Sequence, residues 1–180
     1  SQKLQKLLVR PEMAGIYHLP HSDCKALKQA VHAAHFGWLQ ADFGESREIG
    51  KVLEKIGKDL RLPDWYGANY DALSDCFSDL SWNTAPGYVL LISGADELHA
   101  HDEAAFETLN DVLTAVIENW QQEKVPFWVF YDMRPNGLAP LISGHTSATA
   151  LHRAWAIEAA DARALASADA LFRTEYVPFT

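Results

Sequence analysis

The sequence predicts an α/β fold in which helices cover a small parallel sheet. Four short apolar runs have the length of strands, and each of the first three is followed by a longer segment with apolar residues at helical spacing. Strands that alternate with helices imply parallel pairing and right-handed crossovers. With 180 residues and 48% hydrophobic content, the chain is long enough for one well-packed domain plus additions.

The predicted strands are short apolar runs that end at turn residues. They are residues 14–19, 38–43, 88–92 and 127–131. Pro20 ends the first strand, and Gly44 ends the second. The third run, from Tyr88 to Ile92, is apolar at every position, which is typical of a strand buried on both faces. We expect three core strands, with the N-terminal strand as an addition to the sheet.

Helices are predicted between these strands, each preceded by a capping residue. They span about 22–35, 46–60, 69–80 and 102–122. The predicted N-caps are Ser22 or Asp23, Ser46, Asn69 and Asp102. The segment from Ser1 to Met13 is either a frayed arm or a short docking helix. The segment that carries His99 and His101 is predicted to be a solvated polar loop.

The helix that begins after Asn69 has two dissimilar faces. Its apolar stripe comprises Tyr70, Leu73, Phe77 and Leu80. On the other side, Asp71, Asp75 and Asp79 recur every four residues, so the sequence predicts three carboxylates in one row. Stability alone does not favour such a row, because like charges at this spacing cost about 0.2–0.5 kcal/mol per pair.

The acidity of the chain is local. Between Leu62 and Glu123 there are twelve acidic residues and no Lys or Arg, so this segment carries −12, while the rest of the chain, with fifteen bases and twelve acids, carries +3. Such a field attracts a cationic partner and repels nucleic acid. A solvated acidic surface that only maintains solubility is the alternative interpretation.

The stretch from Leu62 to Leu80, LPDWYGANYDALSDCFSDL, joins an aromatic loop to the acidic helix. Its LPDWYG segment, followed by Asn69, by DAL at 71–73 and by DC at 75–76, resembles the central motif of the barstar family. Members of this family are small intracellular inhibitors of secreted ribonucleases of the barnase type. The order and spacing match without a gap, and the agreement extends over roughly Gly37 to Asp132. The resemblance implies a barstar-like α/β fold and inhibition of a ribonuclease.

The resemblance also implies a contact surface. Asp71 and Asp75 correspond to the carboxylates that enter the phosphate-binding site of the nuclease. Trp65 stands where the family has an aromatic residue that packs on the partner, and Asn69 belongs to the same contacting loop. The full predicted contact set is Trp65, Tyr66, Gly67, Asn69, Asp71, Asp75, Asp79 and Glu118.

Some positions depart from the family pattern or align in two ways. Ser74 and Leu80 stand where barstar has tryptophans, and Asp79 replaces a small residue. Glu118 corresponds to a further acidic contact, although a one-residue shift in the alignment replaces it with Asn119. These departures bear on which nuclease is bound more than on the mode of binding.

Histidines and a cysteine near the N-terminus raise the question of a metal site. His18, His21 and Cys24 are three residues apart, and His32 and His35 follow on the next helix. Structural zinc sites favour tighter paired spacings, so surface and capping roles are the preferred interpretation. Neither a metal nor another cofactor is predicted, and both cysteines of the chain are expected to be reduced.

Catalysis and nucleic-acid binding are disfavoured. Asp71 and Asp75 could pair as acid and base, as in glycoside hydrolysis, but neighbours on one exposed helix turn form an open, wet surface. The sequence has no G-x-x-x-x-G-K loop, no G-x-S-x-G elbow and no basic footprint in this region. It therefore predicts a binding protein whose partner is a basic secreted ribonuclease or toxin nuclease. An adaptor that binds another basic protein is the alternative.

Three regions are predicted along the chain. Residues 1–36 form an N-terminal βα extension packed on the core, residues 37–133 the barstar-like domain, and residues 134–180 a linker with an alanine-rich helical tail. The tail either packs on the domain or provides the contact for a homodimer. The longest aliphatic run, Val89 to Ile92, is too short to span a bilayer, and the N-terminus lacks the apolar core of a signal peptide. A cytoplasmic protein for toxin immunity or self-protection is therefore predicted.

Overall fold

The computed structural model describes residues 2–133 of the chain, and the predicted linker and tail at 134–180 lie outside the described residues. Its four strands are β1 (Ile16–Pro20), β2 (Gly37–Asp42), β3 (Tyr88–Ser93) and β4 (Phe127–Met133). They form one parallel sheet in the order β1-β4-β3-β2. The predicted α/β fold is confirmed, with three core strands and one added N-terminal strand.

The centre of the sheet is formed by the two most apolar strands. Every residue of β3 from Tyr88 to Ile92 is buried, as are Phe127 to Tyr131 of β4. Parallel strands with helices on both faces have to be apolar throughout, which is why these runs occupy the centre. The N-terminal strand β1 adds to the free edge of β4, with Ile16 opposite Val129.

Six helices pack around the sheet in the described part of the chain. They are α1 (Gln2–Leu8), α2 (Cys24–Ala33), α3 (Ile49–Leu60), α4 (Tyr70–Ser78), α5 (Asp96–His101) and α6 (Glu103–Gln122). The predicted caps Asn69 and Asp102 are confirmed, because their side chains accept hydrogen bonds from the Ala72 and Ala105 N–H groups at 2.8 and 3.1 Å. Within residues 2–133, none of these helices combines the length and hydropathy of a membrane-spanning segment.

Two predicted caps are wrong. Helix α3 begins after Glu48 rather than after Ser46, because the Ser46 hydroxyl accepts the Glu48 N–H at 3.3 Å and forms a turn upstream of the helix. Helix α2 begins at Cys24 after a 3-10 turn (His21–Asp23). Asp23 therefore has helical backbone angles, whereas an N-cap needs extended backbone, and its side chain does not cap α2.

The segment predicted to be a polar loop around His99 and His101 is the helix α5. Leu98 is fully buried at its centre, and Asp96 and Glu97 occupy the first turn, where acidic side chains interact favourably with the helix dipole. The prediction fails here because six residues are too few to display a helical period.

The N-terminal segment is a docking helix rather than a frayed arm. Leu4, Leu7 and Leu8 of α1 are buried in the main core. The indole Nε1 of Trp128 in β4 donates a hydrogen bond to the Leu8 carbonyl at 2.9 Å. These contacts join α1 to the centre of the sheet.

The two faces of the sheet can be distinguished at the end of β4. Side chains alternate along a strand, so Tyr131 and Asp132 point to opposite faces. The Tyr131 hydroxyl donates a hydrogen bond to Asn110 of α6 at 2.6 Å, so Tyr131 faces α6, and α4 packs against α6 as well. Asp132 points to the other face, where it contacts His21 beside α2. The sheet thus separates Asp132 from the helices α4 and α6.

Candidate functional site

The loop before α4 is anchored by Tyr66. The Tyr66 hydroxyl donates a hydrogen bond to the Leu53 carbonyl of α3 at 2.7 Å. Its ring covers Gly57, where an added Cβ would lie 2.7 Å from two ring carbons. Burial raises the pKa of Tyr66 to about 12, so the phenol remains a hydrogen-bond donor at neutral pH. Tyr66, a predicted contact residue, is thus half-buried and holds the loop against α3.

Trp65, which immediately precedes this anchor, points into solvent. Its exposed fraction is 56%, and Val9 is the other exposed large hydrophobic residue among those whose side chains the structure describes. The nearby Gly67 is also exposed. An exposed indole on an anchored loop offers a partner both apolar area and an N–H donor.

Two tryptophans hold the carboxyl end of α4. Carbonyls in the last turn of a helix have no partner within the helix. The Trp120 Nε1 of α6 donates a hydrogen bond to the Phe77 carbonyl at 2.8 Å, and the Trp82 Nε1 donates one to the Cys76 carbonyl at 3.3 Å. At the other end of the helix, the Tyr70 hydroxyl donates a hydrogen bond to the Ala105 carbonyl of α6 at 3.3 Å, so α4 is tied to α6 at both ends.

Asp71 and Asp75 lie one turn apart on the exposed side of α4. Neither carboxylate forms an ion pair or a side-chain hydrogen bond within residues 2–133. On the opposite side of the same helix, Leu73 and Phe77 are fully buried. Helix α4 therefore presents two exposed carboxylates that, in the described part of the chain, form no ion pair or hydrogen bond stabilising the domain.

The predicted row of three carboxylates is wrong at its third member. Helix α4 ends at Ser78, and Asp79 follows it with backbone angles φ −121° and ψ 89°. The Asp79 carboxylate accepts the Ser81 N–H at 3.2 Å and so closes the turn after the helix. Leu80 also lies beyond the helix, although it is buried as predicted. The helical row contains two carboxylates, and the contact role of exposed Asp79 stays a prediction.

Glu118 and Asn119, the two alternatives for a further contact, are both exposed on α6. This helix packs against α4, so either side chain is accessible on a neighbouring element. Glu118 stays the predicted acidic contact.

Two carboxylates of the acidic segment, those of Glu97 and Glu103, have basic partners within the described residues, and Arg47 is the one permanent cation among these partners. Glu97 pairs with Arg47 at 3.0 Å, and the His101 Nδ1 lies 3.3 Å from a Glu97 oxygen. His99 lies 3.9 Å from Glu103. These pairs concern α5 and the start of α6, so they leave the charges of α4 unpaired.

Cys76 of α4 has the setting of a packing residue rather than a nucleophile. Its side chain is fully buried on the core side of the helix. Burial raises the pKa of Cys76, and the charges of Asp75 and Asp79 add to the effect. Reactive cysteines require accessible, electropositive surroundings, which are the opposite of these.

A second group of polar side chains lies at the carboxyl ends of β1, β3 and β4. The Asp132 carboxylate oxygens lie 2.9 and 3.0 Å from the His21 Nδ1, and Oδ2 accepts the Ser93 hydroxyl at 3.2 Å. Cys24 joins them, with one donor atom each of His21, Cys24 and Asp132 all within 4.8 Å of one another. Burial, followed by the interactions with Asp132, raises the pKa of Cys24 to about 12.

His18 is not part of this group, although the sequence places it beside two of its members. It pairs in register with Tyr131 and therefore points to the opposite, α6 face of the sheet. Its ring is fully buried, and within residues 2–133 neither ring nitrogen has a hydrogen-bond partner. Burial lowers the pKa of His18 to about 4. The predicted surface role is wrong for His18 because β1 is covered on both faces.

Asp132 and Ser93 are not among the site residues predicted from the sequence. Both are the first polar residues after the apolar runs of β4 and β3. The carboxyl ends of parallel strands meet at one edge of the sheet, where ligands of open α/β sheets bind. This position at the end of each run is the signal that identifies them.

Comparison with known proteins assigns the family. The model of the family described as Barstar (barnase inhibitor) matches residues 37–132, which is more than half of the chain. The match includes β2, β3, α3 to α6 and all of β4 except Met133, whereas α1, β1 and α2 precede it. The comparison with curated proteins finds no match. Members of the matched family inhibit ribonucleases and are not themselves enzymes. The chain belongs to the barstar (barnase inhibitor) family.

Proposed function

We propose that this protein inhibits a ribonuclease of the barnase type by covering the nuclease active site with α4 and the loop before it. The observation that carries the proposal is the pair Asp71 and Asp75, which are exposed one turn apart and have no internal partner among residues 2–133. Membership of the barstar family supports a ribonuclease as the class of target.

The chemistry of the pair suits a site that normally binds RNA phosphates. Such a site needs cationic side chains, and Arg, Lys and protonated His form strong charge-assisted hydrogen bonds with carboxylates. Neighbouring positions on a helix face hold their Cβ atoms about 5–6 Å apart, so two adjacent cationic groups can be engaged at once. In this proposal Asp71 and Asp75 replace substrate phosphates in the active site.

The loop supplies the apolar part of the same surface. Trp65 provides contact area beside the two charges, and Tyr66 holds the loop by its hydrogen bond to Leu53. A surface that is already ordered loses less conformational entropy when it binds, which leaves more of the interaction free energy as affinity. Asn69 contributes by capping α4, and Gly67 leaves room for close approach of the partner.

The surrounding charge favours rapid capture of a basic nuclease. The segment from Leu62 to Glu123 carries twelve acidic residues and no Lys or Arg. A single-sign field of this kind accelerates association, and the acceleration weakens as salt is added. Asp79 and Glu118, at the edge of the proposed surface, act mainly through this field. Fast capture is what protection of a producing cell from its own nuclease requires.

Titration of the full chain into barnase-type ribonucleases tests the proposal. We expect RNA cleavage to fall linearly and to stop at one inhibitor per nuclease. A ribonuclease of unrelated fold serves as the negative control, and the Asp111→Ala variant, which removes an exposed carboxylate of α6, serves as the matched control for charge. Asp111→Ala is expected to inhibit like the unmodified protein.

Two outcomes contradict the proposal. One is the absence of inhibition across barnase-type enzymes at micromolar concentrations. The other is a complex in which the nuclease stays active, since binding away from the active site would indicate an adaptor.

A further inference from the structure

His21, Cys24 and Asp132 bring three kinds of metal-ligand atom, a nitrogen, a sulfur and an oxygen, to one end of the sheet. Asp132 ends β4, Cys24 begins α2, and His21 lies in the turn between β1 and α2. A donor atom from each residue lies within 4.8 Å of the other two. Parallel pairing of β1 with β4 creates this meeting, because Pro20 and Met133 are partners in the register and both strands end at the same edge.

Asp132 is the buried member of this group. Its side chain is 7% exposed, whereas that of His21 is 70% exposed. The Ser93 hydroxyl donates a hydrogen bond to the buried carboxylate at 3.2 Å and helps to fix its position. His21 forms the side of the group that is exposed to solvent.

We propose that His21, Cys24 and Asp132 bind a divalent transition-metal ion, with zinc as the first candidate. Zinc takes nitrogen, sulfur and oxygen ligands together, whereas calcium and magnesium require oxygen ligands. Ligand atoms lie about 2.0–2.3 Å from tetrahedral zinc and therefore about 3.3–3.8 Å from one another. The ligand atoms of His21, Cys24 and Asp132 lie within 4.8 Å of one another, so they have to approach by about 1 Å at most to reach that spacing. The three protein ligands leave a fourth position for water.

Binding exchanges hydrogen bonds for coordination. The contact between the His21 Nδ1 and Asp132 opens, and an imidazole nitrogen with a free electron pair binds the ion. The ion also displaces the thiol proton of Cys24, which is released to solvent. The thiolate and the carboxylate then balance the two positive charges of the ion, so no net charge is left in a partly buried place. Ser93 continues to orient the Asp132 carboxylate, as partners of ligating carboxylates commonly do.

The ion would join a residue inside the family match to two residues that precede the match. Asp132 is the last matched residue, while His21 and Cys24 lie before the match begins at Gly37. The site is across the sheet from α4, because Asp132 points away from α6. It is therefore independent of the proposed inhibitory surface, and its role is to fasten the N-terminal β1–α2 unit to β4.

Cobalt titration of the reduced, full-length protein tests this assignment. Co²⁺ replaces Zn²⁺ in such sites and reports both thiolate ligation and tetrahedral geometry in its absorption spectrum. We expect one ion per chain, a thiolate-to-cobalt band, and displacement of cobalt by added zinc. The Cys24→Ser, His21→Gln and Asp132→Asn variants are expected to lose the band, and Cys76→Ser, which removes the other thiol of the chain, is expected to retain it.

Zinc added to the metal-free protein is also expected to raise the melting temperature by several degrees, because an ion that binds only the folded state stabilises it. His21→Gln changes an exposed side chain and keeps the test valid if Asp132→Asn fails to fold. Absence of a thiolate band, or a band that persists in His21→Gln and Cys24→Ser, would overturn the proposal. The group would then be a hydrogen-bonded cluster that satisfies Asp132 and nothing more.

Discussion

Asp75 and Asp132 lie in the same family-matched domain, yet their surroundings are opposite. Asp75 is exposed on α4 and has no side-chain partner within residues 2–133. Asp132 is buried at the end of β4, where His21 and Ser93 contact its two oxygens. A buried carboxylate is tolerated only when it is paired, whereas an exposed one needs no partner for stability. Removing Asp132 should therefore affect folding, and removing Asp75 should affect only binding.

The largest effect is expected from Asp75→Ala in the complex with a nuclease. Removing a buried interface charge leaves the cationic groups of the partner unpaired, which costs about 2–5 kcal/mol, in the range seen for interface charges that include those of barstar itself. We expect affinity to fall about 30- to 4,000-fold, mainly through faster dissociation. Binding kinetics at two salt concentrations measure this loss. Asp71→Ala should behave similarly, and Asp79→Ala less strongly.

The free Asp75→Ala protein is expected to be as stable as the unmodified protein, or slightly more so, because repulsion from Asp71 is removed. Thermal melts of both free proteins check this. A loss of more than about 1 kcal/mol in stability with unchanged inhibition would make Asp75 a structural residue.

Acid pH gives the next largest effect, through His18. Burial lowers the pKa of His18 to about 4, so between pH 6.5 and 4 the unfolded chain binds a proton that the folded protein excludes. Stability should therefore fall as the pH falls through this range, by up to about 1.4 kcal/mol per pH unit from this residue. Denaturant unfolding at pH 7, 6 and 5 measures the slope.

The His18→Leu variant should flatten this pH dependence and should be at least as stable at pH 7, because a buried ring without a hydrogen-bond partner is replaced by an apolar side chain. His32→Gln, which changes an exposed histidine of α2, is the matched control and should keep the full slope. Equal slopes in His18→Leu and the unmodified protein would show that another group controls acid unfolding.

Asp132→Ala is expected to lower the free energy of unfolding by about 1–2 kcal/mol, because the hydrogen bonds with Ser93 and His21 are lost and each contributes about 0.5–1.5 kcal/mol. Ser93 loses its acceptor in this variant. Nuclease inhibition per folded molecule should not change, because Asp132 lies across the sheet from α4. Melts with a chelator present measure the effect without any contribution from metal. If inhibition were lost without a loss of stability, Asp132 would be a binding residue and the contrast with Asp75 would be wrong.

The smallest effect is expected from truncation after Gly137. The deleted residues lie beyond the family match, and the described sheet is complete at Met133. The shortened protein should bind its nuclease with an affinity within tenfold of the full chain, which corresponds to less than about 1.4 kcal/mol. Its self-association, measured by light scattering, should fall if the tail forms a homodimer. A larger loss of affinity would place part of the binding surface in the tail.

Features that depend on residues nearby in the sequence can be predicted from the sequence alone. The unbroken apolar runs predict β3 and β4, because only a strand covered on both faces needs such a run. Asn69 and Asp102 predict helix starts, since a short polar side chain before an amphipathic segment can cap it. The position of Asp71 and Asp75 opposite Leu73 and Phe77 follows from the helical period. The resemblance to the barstar family, and not this spacing, is what joins the aromatic loop to the two carboxylates in one predicted surface.

Some local predictions failed where short-range hydrogen bonds outweighed the pattern. Asp79 continues the four-residue spacing, but its carboxylate bonds the Ser81 N–H and the helix stops before it. Ser46 resembles a cap, but it closes a turn with Glu48 instead. Periodicity and cap preference do not describe these competing bonds, because a side-chain oxygen can accept either from a helix or from a turn.

The tertiary structure alone decided which polar groups are buried and which of them meet. His18, His21 and Cys24 are close in sequence, but alternation along the strand turns His18 toward α6, and it is Asp132, more than a hundred residues away, that meets the other two. Tyr66 and Trp65 are adjacent aromatics, and only the approach of α3 makes one an anchor and leaves the other exposed. Sequence spacing determines the face of an element on which a side chain lies. What covers that face depends on strand order and register, which bring together residues from distant parts of the chain.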